Sequence, residues 1–98
     1  MEKTKVLIII VNAGFGENVL GIAREEGVKG ATILSARGES RQHESFMGIT
    51  VDTEKEMILS VTDERSAEKA MAAIKEKAGV TTPAHSVCFT VPVENMVG

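Results

Sequence analysis

Lys5-Val6-Leu7-Ile8-Ile9-Ile10-Val11 is the stretch on which the fold turns. Side chains on a strand point alternately to opposite faces, so Val6, Ile8 and Ile10 share one face and Leu7, Ile9 and Val11 the other. Both rows are apolar, and such a strand needs cover on both sides. Asn12-Ala13-Gly14-Phe15-Gly16 breaks the run. Glu17 to Glu26 then carries Val19, Leu20, Ile22 and Ala23 at helical spacing, with an acid in the first turn and Gly27 as a left-handed stop.

Further out, Gly30 opens a second strand over Ala31-Thr32-Ile33-Leu34-Ser35-Ala36, which ends at Gly38. Arg37 to Thr53 reads mostly as loop, with strand character at Ile49-Thr50-Val51, and Glu54 to Val61 resumes a strand. Thr62-Asp63 caps a second helix, in which Ala67, Ala70, Met71, Ile74 and Ala78 keep the i, i+3, i+4, i+7, i+11 rhythm until Gly79 stops it. Ser86 to Val91 is the last strand, closed by Pro92. The βαββαβ order predicts one α+β domain over residues 1–98. Its architecture is a ferredoxin-like sandwich, a four-stranded antiparallel sheet with both helices on one face. One sheet face is then bare although the first strand has an apolar row on each side. A second copy of the chain is the expected cover, which predicts a homo-oligomer.

Composition narrows the function. Among 98 residues, 11 Lys+Arg against 14 Asp+Glu give a net charge of −3, with three Phe and neither Trp nor Tyr. That supplies neither the basic field nor the stacking platforms of a nucleic-acid module. The uncharged run from Val6 to Gly16 is eleven residues, short of the roughly 20 that a membrane helix needs. No small-residue cleavage site follows it, so a cytoplasmic location is expected. Cys88 is the single cysteine, which excludes an internal disulfide and a multi-cysteine zinc site within one chain.

The candidate chemistry is sparse. Arg37, Arg41 and His43 lie close in one polar loop and are candidates for an anion site. The Asn12–Gly16 turn joins a strand to a helix N-terminus, where anions bind well. It has no third glycine and no following lysine, so it reads as a tight turn with Phe15 packed at its edge. Cys88, alternating with Val87 and Phe89, reads as a small buried apolar residue, and His43 and His85 as structural or solvated. Ser35, Ser40, Ser45, Ser60, Ser66 and Ser86 stand in no nucleophile-elbow context, so nothing positive supports an enzyme.

Gly30-Ala31-Thr32, then Arg37-Gly38-Glu39-Ser40-Arg41-Gln42, and finally Phe89-Thr90-Val91-Pro92-Val93-Glu94 resemble, in order, the P-II nitrogen-regulator signalling family. Long members carry Gly-x-Thr ahead of a Lys-Gly-x-Gly-Arg-Gln turn at the base of a flexible loop, and a last strand ending in Pro-Val-Glu. The resemblance implies a non-enzymatic regulator of nitrogen or carbon/nitrogen metabolism, a homotrimer with intersubunit clefts. An adenine nucleotide (ATP, ADP or AMP) is the implied effector, with no tightly bound cofactor and no metal. The implied cleft residues are Thr32, Arg37, Gly38, Arg41 and Gln42. The loop over residues 38–47 is expected to be mobile and to dock onto a regulated transporter, enzyme or regulator.

The chain departs from the long members in four places. Val80-Thr81-Thr82-Pro83-Ala84-His85-Ser86-Val87 replaces a glycine- and lysine-bearing segment, and Thr53-Glu54-Lys55-Glu56 replaces Pro-Lys-x-Lys. No Arg-x-Arg follows Val97-Gly98, and the shortened loop holds no tyrosine for uridylylation. The resemblance is therefore to a divergent member. Two other readings stay open at this stage: a trimeric metal-binding module similar to the divalent-cation tolerance proteins, and a sensor of a non-nucleotide small molecule.

Overall fold

The computed structural model describes residues 3–39, 45–46, 49–50 and 53–98. The elements are β1 (Thr4–Asn12), α1 (Gly16–Glu25), β2 (Thr32–Gly38), β3 (Ser45–Phe46), β4 (Ile49–Thr50), β5 (Thr53–Asp63), α2 (Glu64–Ala78) and β6 (Val87–Pro92). Four of the strands form one antiparallel sheet in the order β2-β5-β1-β6, while β3 and β4 form a separate two-stranded sheet. This is the expected α+β architecture. The short β3–β4 pair takes up Ile49 and Thr50, whose strand character the sequence suggested, outside the main sheet.

Leu7, Ile9 and Val11 of β1 and Ile58 of β5 are fully buried under the helices. They meet Val19, Leu20 and Ala23 of α1 and Ala70, Ile74 and Ala78 of α2 in one core. The alanines on α2 keep its inner face small, which lets it pack closely on the sheet and on α1. Both helix ends have local causes. Asp63 accepts a hydrogen bond from the Ser66 backbone N–H at 2.9 Å and caps α2, with no loop residue between β5 and the helix. At the far end of α1, Gly27 takes φ +107°, its N–H reaches Arg24 O and the Val28 N–H reaches Ala23 O. That pair of hydrogen bonds, with Val28 and Ala23 both in the core, is the Schellman stop expected from Gly27.

The register places Val6, Ile8 and Ile10 on the helix-free face beside Val61, Leu59 and Met57 on one side and Val91, Phe89 and Val87 on the other. Leu34 extends the patch across Met57. Leu34, Val61, Val87, Phe89 and Val91 are 42–49 % exposed, which is a large apolar surface to leave on one face of a sheet.

Candidate functional site

Antiparallel pairing brings four strand ends to one edge of the sheet: the C-termini of β1 and β2 and the N-termini of β5 and β6. Arg37 and Gly38 lie there. Gly38 ends β2, as the sequence predicts, and Arg37, which also reads as the start of the loop, is still in the strand: the two pair with Thr53 and Glu54. Pairing between residues this far apart in sequence is invisible to a local pattern. Arg37 is exposed and its guanidinium is 3.5 Å from the Glu39 carboxylate.

Gly38 shares the helix-free face with Lys55 and Asn12. A Cβ on Gly38 would stand 3.1 Å from Lys55 Cε and 3.4 Å from its Cγ, so the missing side chain is what lets the lysine stem lie across the end of β2. Lys55 Nζ donates to Asn12 Oδ1 at 2.6 Å. Asn12 is held in turn by its own Nδ2 on Pro83 O at 2.8 Å and by its backbone N–H on Ala84 O at 2.9 Å. The result is a polar cluster, Asn12, Lys55 and Gly38, at the end of the apolar face.

The opposite face of the same edge holds Glu56. Its Oε1 accepts from Gly14 N at 2.7 Å and Gly16 N at 3.1 Å, so the chain's own carboxylate fills the start of α1. The Asn12–Gly16 segment is a tight turn, as expected, and its Gly14 and Gly16 N–H groups donate to that carboxylate. Phe15 packs half-buried against the core, as expected. The connection from α2 to β6 is built of tight turns in which Thr82 N reaches Gly79 O and His85 N reaches Thr82 O. His85 stands at φ +46° with Nδ1 3.0 Å from Val80 O. Burial pushes the half-buried Cys88 thiol above its ordinary pKa, in keeping with its expected packing role. Among the described residues, no group of three or more His, Cys, Asp or Glu could hold a metal ion.

A family model described as "Nitrogen regulatory protein P-II" matches residues 4–98. The chain belongs to the P-II family. No curated protein sequence matches it. Solved structures similar to this P-II chain include B. subtilis GlnK in complex with ATP, at TM-score 0.74 and 14 % identity, covering 99 % of this chain and 88 % of that one. A second is CPII of Thiomonas intermedia K12, a nitrogen regulatory PII-like protein bound to ADP, AMP and bicarbonate. It matches at TM-score 0.67 and 18 % identity, covering 96 % of each chain. A third is a PII-like signalling protein of Thermus thermophilus, at TM-score 0.70 and 17 % identity, covering 94 % of this chain and 88 % of that one.

Within this P-II chain the structure places three of the residues that the resemblance groups, Thr32, Arg37 and Gly38, along one strand. Thr32 lies at the start of β2 opposite Leu59, on the helix-free face, six positions from Gly38 and so roughly 20 Å along the strand. Arg37 points to the other face from Gly38. Arg41 and Gln42, with His43 and most of the 38–47 loop, lie outside the described residues. Sequence reasoning misses Lys55, Asn12 and Glu56 as site-forming residues. The parity shared by Asn12 and Lys55 at two strand ends is the one available signal, and it has meaning only once the β1–β5 register is known.

Proposed function

We propose that this chain is a P-II-type regulator of nitrogen or carbon/nitrogen metabolism that binds an adenine nucleotide at the β2–β5 edge of the sheet and signals through the connection between those strands. The observation that carries the reading is the glycine at the end of β2. Gly38 leaves room for the cationic Lys55 side chain at the end of β2, and a glycine there lets a phosphate approach the backbone closely. Two similar folds, GlnK with ATP and CPII with ADP and AMP, carry adenine nucleotides, which supports that ligand class. Because Thr32 and Gly38 are far apart on one strand, a site that uses both takes Thr32 from one copy and Gly38, Arg37, Arg41 and Gln42 from its neighbour. The reading is thus a homotrimer with intersubunit clefts, cytoplasmic, regulatory and non-enzymatic. No helix among the described residues is long and apolar enough to cross a membrane.

Calorimetry with AMP, ADP, ATP and bicarbonate, on the wild type and Arg41→Glu, tests it. The wild type binds at least one nucleotide, and the charge reversal weakens that binding by about 2–5 kcal/mol. Equal binding by the two proteins removes Arg41 from the site. Absence of nucleotide binding by the wild type overturns the adenine-nucleotide reading.

A further inference from the structure

Lys55 is half-buried at the end of the apolar sheet face, and the group that holds its ammonium is the neutral amide oxygen of Asn12 at 2.6 Å. Among the described residues, no carboxylate lies within ion-pair distance of it. Its two chain neighbours are both acids, yet strand alternation turns Glu54 and Glu56 to the opposite face, and the Glu56 carboxylate is taken up by the Gly14 and Gly16 N–H groups. A partly desolvated ammonium with a neutral partner is a costly arrangement in a fold whose net charge is −3. An ammonium has three N–H donors, and one is committed here to Asn12. Gly38 keeps the side of the lysine stem toward β2 clear.

We propose that Lys55 is the residue of this site that contacts the ligand's anionic, phosphate-type group. The proposal rests on the functional reading above and names a residue that the resemblance does not supply. Asn12 acts as its positioning residue: two hydrogen bonds to the 83–84 turn fix the amide, and the amide oxygen fixes the ammonium over the end of β2. A neutral holder orients the lysine without neutralising it, so the charge is left for the ligand.

The test compares wild type, Lys55→Met and Lys55→Arg by calorimetry with ATP, inorganic pyrophosphate and adenosine. Methionine keeps the stem packed near Gly38, and unchanged circular dichroism and thermal midpoint confirm an intact fold. Lys55→Met is expected to bind ATP and pyrophosphate about 10- to 150-fold more weakly, the range for losing one hydrogen bond to a charged group. Adenosine binding should be unchanged, and Lys55→Arg should retain most of the phosphate affinity. A Lys55→Met variant that binds ATP as the wild type does overturns the proposal while leaving nucleotide binding standing. Pyrophosphate binding that depends on Lys55, without any adenine-nucleotide binding, upholds the anion contact and overturns only the nucleotide reading. A wild type that binds neither anion overturns both.

Discussion

Asp63 shows how much structure one side chain can fix. The Ser66 backbone N–H, and then the Ser66 hydroxyl, hold its carboxyl below the ordinary value of 3.8. A carboxyl that titrates lower in the folded than in the unfolded chain stabilises the fold fully above the unfolded value, and that contribution fades as pH falls through the folded one. Asp63→Ala should therefore melt below the wild type from neutral pH down to about pH 5, and the gap should close as the solution is acidified further. A gap that persists unchanged at the acid end would show that the cap acts through packing and not charge. Lys55 makes the complementary point. Its chemistry is set by a partner 43 positions away, and no local pattern around Thr53-Glu54-Lys55-Glu56 announces that an asparagine and not an acid will hold it.

Among the elements, the start of α1 is distinctive because its cap comes from another strand. Phe15 is the N-cap residue and offers no side-chain hydrogen bond, while Glu56 of β5 supplies the acceptor to Gly14 and Gly16. Glu56→Ala should destabilise the protein by about 1–2 kcal/mol, read as a lower urea midpoint with unchanged slope, and Glu56→Gln by less because an acceptor remains. Loss confined to the slope would mean that the unfolded state had changed instead. Both helices are legible in the sequence because their signals are local: the alanine-rich rhythm of α2, and Gly27 one turn past the apolar residues of α1. The observed α1 span, Gly16–Glu25, is shifted one residue toward the N-terminus, the usual scale of a boundary error. Strand ends are less legible: Gly38 closes β2 as read, but β5 runs on through Thr62 and Asp63 because β1 offers Lys5 and Thr4 as partners. The same non-local pairing assembles the site, so the sequence names Gly38 but not its neighbours in space.

For the whole molecule, the decisive quantity is the helix-free sheet face. Fully burying a Val, Leu or Phe side chain yields about 1.5–3 kcal/mol, so side chains left near half exposure each retain about half of that to gain from a partner. The homotrimer proposed above takes up this gain. Light scattering should give three times the 10.5 kDa chain mass. Ile8→Asp, at the centre of the patch between Leu59 and Phe89, should yield monomer, because a carboxylate buried there without a partner costs more than the remaining contacts recover. A trimer that survives Ile8→Asp would place the interface elsewhere.

The direct passage from β5 into α2 at Asp63 has a geometric consequence of its own. With no slack residue at the junction, the azimuth of the helix is phase-locked to the pleat of the strand. One inserted residue advances the helix by about 100° or turns the strand over, so Ile74 and Ile58 could no longer face the same interior. The same junction ties the two ends of the stretch together: the strand that carries Lys55 near its start sets the face that α2 buries.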